Sequence, residues 1–164
     1  MKTIQLTQGQ VALVDDEDYD WLIKRKWHAF KSRSDCYYVV NSEWQPETKK
    51  VKAIFMHRLI MDTPNNLFVD HIDHNGLNCQ RSNMRNCTRQ ENMMNKKPWA
   101  KSSYSGVYYC GEKNKKKYIA AYITCNKKLY YLGCFKTEEA AARAYDVKAR
   151  ELFGEFANLN FPKL

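Results

Sequence analysis

Residues 69–95 read VDHIDHNGLNCQRSNMRNCTRQENMMN, and the fold and chemistry of the chain turn on that stretch. Asp70, His71, Asp73 and His74 crowd together at its start, and with His57 just upstream the region holds three of the four histidines. Cleaving a phosphodiester needs a water, a base to take its proton, and a hard cation to offset charge building on the phosphate oxygens. A carboxylate such as Asp70 and an asparagine carbonyl suit Mg²⁺, which binds few protein groups and keeps several waters. His71 titrates near neutrality and is a candidate base. Two other readings of the same residues stand beside this one: a polar surface loop, and a zinc site built from His71, His74, Cys79 and Cys87. No C-x-x-C pair is present to supply a four-cysteine ribbon.

The spacing is more specific than the composition. Asp70-His71, then Asn83 twelve residues after that histidine, then Asn92 nine further on, resemble the HNH nuclease signature. The resemblance implies a ββα-metal core of two strands and a helix around one cation, with His71 ending the first strand and Asn92 on the helix. It implies His71 as general base, Asp70 and Asn92 as catalytic metal ligands for Mg²⁺ or another divalent cation such as Mn²⁺, and Asn83 as a structural residue fixing the loop. The preceding MHRLI is similar to the lead-in of phage and mobile-element members, where Arg58 would face a phosphate. Asp73 and His74 repeat the Asp-His chemistry and are read as supporting groups or as direct participants. Arg81, Arg85 and Arg89 recur every four residues, which can line a helix face toward phosphates or toward solvent.

Beyond PWAKSSYS (98–105) the periodicity changes. Three strands are predicted at Gly106 to Cys110, Tyr118 to Thr124 and Leu129 to Phe135, with Lys113, Lys115, Lys116, Lys117, Asn126, Lys127 and Lys128 in the turns. Thr137 is a natural N-cap, Glu138 and Glu139 complement a helix dipole, and the Ala-rich run from Ala140 to Phe153 stops at Gly154. Ala140, Ala141, Ala144 and Ala149 are expected to form the face packed on the sheet. YLGCF, EEAAARAYD and LNFP, within roughly Ser103 to Pro162, resemble the AP-two/ethylene-response-factor DNA-binding domain. That implies a sheet laid in the major groove. Several strand positions that tend to be arginine in plant members are here Ser105, Tyr108, Cys110 and Thr124. The contacts expected instead are Tyr108, Tyr122 and Tyr130 on the strands and Lys116, Lys117, Lys127 and Lys128 on the turns.

Composition agrees with a polyanionic partner. Lys and Arg total 27 against 18 acids, for a formal charge of +9. The excess is zero over residues 1–50, three over 51–100 and six over 101–164, so the positive field grows toward the C-terminus. No run of about 18 apolar residues is present to span a bilayer. MKTIQLTQGQ lacks the apolar stretch of an export signal, so a cytoplasmic protein with free thiols at its six cysteines is expected. In residues 1–54 a short helix is predicted from the acidic run Asp15 to Asp20 into Tyr19, Trp21, Leu22, Ile23 and Trp27. Strands follow at Tyr37, Val39 and Val51 to Phe55, separated by a turn at Glu43 to Lys50.

The sequence therefore points to an α+β chain with an N-terminal support segment (1–54), an HNH core (55–98) and a three-stranded antiparallel sheet packed on one helix (103–162). The expected function is a metal-dependent DNA endonuclease of homing type, probing duplex DNA in the cytoplasm of a bacterial or phage-infected cell. One active centre per chain favours nicking, and a monomer is the preferred state. The rivals are a non-enzymatic DNA-binding regulator on a decayed nuclease fold and a zinc-binding interaction protein.

Overall fold

The computed structural model describes residues 1–32, 36–95, 103–110 and 118–162. The chain divides into two compact units, Met1–Asn92 and Met93–Leu164. The boundary expected within 98–105 lies largely outside the described residues, as do Lys113, Lys115, Lys116 and Lys117. Among the described residues no helix is long and apolar enough to cross a membrane, and all six cysteines are free thiols.

The first unit opens with a hairpin of β1 (Lys2–Gln5) and β2 (Val11–Val14), which the sequence reading did not anticipate. Next comes α1 (Asp16–Leu22), whose first turn holds Asp16, Glu17 and Asp18 at the positive end of the helix dipole. Trp27 lies beyond the helix expected to contain it: the chain leaves α1 at Ile23, and the indole Nε1 returns to donate to the Leu22 carbonyl at 2.8 Å. A three-stranded antiparallel sheet follows in the order β3 (His28–Lys31), β4 (Tyr37–Gln45), β5 (Lys50–Phe55). β4 runs through Glu43 and Trp44, which the polar composition had suggested for the turn. The ladder continues because Glu43 faces Lys52 and Trp44 faces Val51 across the strands.

α2 (Met56–Ile60) follows β5 without a break. β6 (Phe68–His71) and β7 (Met84–Cys87) pair antiparallel, with Asp70 directly opposite Arg85 and His71 opposite Met84. α3 (Arg89–Met94) comes next and contains the unit boundary. Ile4, Ala12, Val14, Leu22, Trp27 and Val39 share one hydrophobic core with Met56, Ile60, Cys79 and Met84. Residues 1–54 therefore supply six of the ten residues of the core that carries the strand pair.

The second unit is an antiparallel sheet in the order β10 (Lys128–Phe135), β9 (Tyr118–Cys125), β8 (Val107–Cys110), with α4 (Glu138–Phe153) packed on one face. Thr137 Oγ1 accepts from Ala140 N at 3.2 Å, a cap whose loss typically costs about 1 kcal/mol. The buried alanines of α4 are Ala141, Ala142 and Ala149; Ala140, expected on that face, is exposed because the helix starts at Glu138 and turns it outward. Gly106, at φ 72°, has no room for a Cβ: one would meet the Tyr145 ring and the Tyr122 carbonyl. Buried Asp146 accepts from Asn160 N, Asn160 Nδ2 and Phe161 N at 2.8 to 3.0 Å, tying the tail to α4.

β9 and β10 are joined by the two residues Asn126 and Lys127, both left-handed at φ 52° and 63°. Such two-residue turns favour Asn-Gly, because only glycine takes the second position without steric cost. Lys127→Gly should accordingly stabilise the second unit by about 1 kcal/mol, read as a raised denaturation midpoint in urea; an unchanged or lowered midpoint would refute the strain.

Candidate active site

Asp70 and His71 end β6, 4% and 7% exposed. A buried carboxylate needs a compensating cation, and Arg85 supplies one from across the ladder: its Nε and Nη2 donate to Asp70 Oδ2 at 2.9 and 2.7 Å. After His71 the chain makes a tight loop. Asp73 Oδ1 accepts from Asn75 N at 2.8 Å and from Asn83 Nδ2 at 2.9 Å, and its Oδ2 accepts from Asn78 Nδ2 at 2.8 Å. Burial works to raise the Asp73 carboxyl, but those hydrogen bonds overcome it and hold the pKa below the usual value. Asn83, in a 3-10 turn at Arg81–Asn83, closes the loop: its Oδ1 accepts from Asp73 N at 3.1 Å, its Nδ2 also donates to Asn78 O at 2.9 Å, and its carbonyl accepts from Ile72 N at 2.9 Å. From the other side, Leu13 of β2 donates to Leu77 O and accepts from Cys79 N, each at 2.9 Å.

The His71 ring stands in a wall of other rings. His57 of α2 lies edge-on, centroids 5.2 Å apart at 88°, and Tyr38 of β4 lies 6.1 Å from His71 and 5.7 Å from His57. Phe55 adds a further ring 5.3 Å from His57. Gly76 makes the wall possible, since a Cβ there would fall 2.7 Å from the Tyr38 ring. His57 is 8% exposed, and its Nδ1 has no hydrogen-bond partner among the described residues. Burial, assisted by His71 and then Arg58, pushes the His57 pKa down to about 3. Burial also holds His71 below its ordinary value, against the opposing pull of Asp73 and Asp70. Both imidazoles are therefore neutral near neutral pH, the form in which a base accepts a proton.

Asn92 lies on α3, and its amide donates to Thr88 O at 3.0 Å. The helix begins with a reciprocal cap: Thr88 Oγ1 accepts from Glu91 N at 3.3 Å, and Glu91 Oε2 accepts from Thr88 N at 2.7 Å. This is the T-x-x-E capping box, a signal legible in TRQE. The donors that the HNH resemblance assigns to a cation, one carboxylate and one carboxamide, are both oxygen, which fits a hard divalent ion. Zinc fits poorly. Burial raises the Cys79 and Cys87 thiols to about 12 and 11, and among the described residues no group of three or more His, Cys, Asp or Glu is placed to hold a metal.

Several residues expected at the DNA are occupied within the protein. Arg58 donates to the carbonyls of Leu67, Thr63 and Pro64 at 2.9 to 3.1 Å, clasping the turn before β6 instead of facing outward to a phosphate. Arg81 grips buried Asp18 of α1 with Nε and Nη2, each at 2.8 Å, while Asp15 accepts from the Arg81 amide at 2.8 Å. Arg81, Arg85 and Arg89 do not share a helix face: they sit in a 3-10 turn, a strand and a helix.

In the second unit, Ile119, Ala121, Ile123 and Cys125 of β9 lie on the side of the sheet covered by α4. Tyr108, Tyr122 and Tyr131 stand together on the opposite face, with Tyr122 5.7 Å from Tyr108 and 5.2 Å from Tyr131. Tyr130, expected among the contacts, packs instead against the core containing Ile123 and Phe153, with Lys128 and Lys148 Nζ 5.0 and 5.4 Å from its ring. Its cross-strand partner is inward-facing Ile123, whereas Tyr131 is paired with Tyr122. Lys127 and Lys128 are exposed at the turn, and Lys116 and Lys117 lie outside the described residues.

A family model described as HNH endonuclease matches residues 62–94, the segment that holds Asp70, His71, Asn83 and Asn92. An uncharacterized HNH endonuclease of Acanthamoeba polyphaga mimivirus is 35% identical over 155 residues, covering 93% of this chain and 76% of the relative.

The two buried histidines give the first unit a specific response to acid. Their folded pKa values lie below the ordinary 6.5, so below that pH the unfolded chain takes up protons that the folded state refuses. Stability is full above about pH 6.5 and falls on acidification, for His57 down to about pH 3, at about 1.4 kcal/mol per pH unit per histidine. Urea midpoints at pH 7.5 and 5.0 should show this loss, and His57→Phe should flatten it; equal slopes in the two proteins would exclude His57 as a source.

Proposed function

The chain belongs to the HNH endonuclease family, and from that premise we propose that it is a divalent-cation-dependent DNA endonuclease of homing type in which His71 is the general base. The observation that carries this reading is a neutral, buried His71 at the end of β6, beside the Asp70 carboxylate and braced by other rings. A water near His71 gives up its proton to the imidazole as its oxygen attacks phosphorus; the bond from phosphorus to the leaving sugar oxygen breaks, and that oxygen keeps the electron pair and takes a proton from solvent. Asp70 and Asn92 would hold a cation such as Mg²⁺ or Mn²⁺, which when bound offsets the charge growing on the phosphate oxygens. Arg85 orients Asp70 by donating two N–H bonds to one carboxylate oxygen. Asn83 and Asp73 keep the loop after His71 closed, a positioning role for both.

Duplex DNA is drawn by the net charge of +9. The second unit is the reader in this proposal: a sheet on one helix, similar in its sequence phrases to the AP-two/ethylene-response-factor domain. Its outer face offers Tyr108 and Tyr122, joined by Tyr131, with Lys127 and Lys128 at the turn for phosphates. With no arginine fork at Tyr108, Cys110 or Thr124, direct guanine readout is weak and DNA shape contributes more. One centre per chain cuts one strand per encounter, so the monomer nicks.

His71→Ala should slow nicking of supercoiled plasmid in Mg²⁺ by about a hundred- to ten-thousandfold while retention on DNA is kept. Chelation should stop the wild type altogether. Full nicking by His71→Ala would remove the base from the mechanism, and joint loss of nicking and retention would reassign His71 to folding.

A further inference from the structure

His57 has no part in the chemistry above, yet it is the ring nearest to His71. It comes from α2, touches His71 edge-on at 5.2 Å and is itself held by Tyr38 and Phe55 on its other sides. The groups around it are aromatic: among these packed rings the titratable neighbours are His71 and the Tyr38 phenol, with the Arg58 guanidinium next in the chain. Burial keeps the ring uncharged, so it adds no second positive charge beside a base that must take up a proton. It also keeps a buried nitrogen, Nδ1, without a hydrogen-bond partner among the described residues.

We propose that His57 is a positioning residue for His71: its imidazole fixes the plane in which the His71 ring meets the attacking water. The inference rests on His71 being the base. Small angular errors at a general base are expensive, since misplacement by about an ångström costs on the order of a hundredfold in rate. A flat ring set perpendicular to His71 blocks rotation about the Cβ–Cγ bond in a way that a flexible side chain would not. Tyr38 blocks the same rotation from another side, and the bare space above Gly76 lets it do so.

The test compares His57→Ala, His57→Phe and His71→Ala, alone and combined, in plasmid nicking with Mg²⁺, with melting temperature and DNA retention followed in parallel. His57→Ala should lower kcat about ten- to a hundredfold with KM for plasmid unchanged. His57→Phe, which restores a ring in the wall, should recover at least about tenfold of that loss and melt no lower than wild type. Adding His57→Ala to His71→Ala should cost nothing further, because a residue that acts through the base has nothing left to position. Wild-type kcat in His57→Ala, or a His57→Phe protein no faster than His57→Ala, would overturn the proposal while leaving an inactive His71→Ala to support the base. An active His71→Ala would overturn both.

Discussion

A carboxylate taken out of water survives only beside an opposing charge, and the pairing of Asp70 with Arg85 meets that demand at the centre of the first unit. The two residues face each other directly across β6 and β7. A slip of one residue would turn the two side chains to opposite faces of the strand pair and part them. The ion pair therefore fixes the register of the strand pair, and the register sets where β6 ends and where His71 is delivered. The loop of Asp73, Asn75, Asn78 and Asn83 then only has to close the gap.

What surrounds this pair shows why a small nuclease motif needs a larger body. The β1–β2 hairpin bonds to residues 77 and 79 from behind, α1 and the Asp15 just before it present Asp18 and Asp15 to Arg81, and β4 contributes Tyr38 to the rings around His71. These are three separate contributions from the stretch that composition marks only as support. The acidic run Asp15 to Asp20 has two jobs there: it suits the N-terminus of α1, and two of its carboxylates hold the turn that carries Asn83.

Local chemistry was legible in the sequence and tertiary chemistry was not. Thr137 and Gly154 bracket α4 because capping is decided within a few residues, and the Asn-Lys turn marks the junction of β9 and β10 for the same reason. Asp70, His71, Asn83 and Asn92 stand out because they form one linear pattern. The ring wall does not, since Tyr38, Phe55 and His57 come from three elements and meet His71 only after folding. β1 and β2 escape notice because four-residue strands carry too short an alternation to be read, and their bridging partners lie far along the chain. The four-residue spacing of Arg81, Arg85 and Arg89 imitates a helix face although the chain passes through a turn, a strand and a helix. The placing of Tyr130 was within reach: a two-residue turn at Asn126-Lys127 pairs Tyr122 with Tyr131 and turns Tyr130 to the other side.

The segment that carries the family resemblance, residues 62–94, buries few apolar side chains of its own, among them Cys79 and Met84, and their packing partners are Ile4, Val14, Leu22 and Val39. Excised from the chain, that segment would have a pattern of functional residues and no interior to condense around. In this protein the motif is thus completed by the rest of its unit: an engineered minimal nuclease would have to bring the hairpin, α1 and β4 along as its foundation.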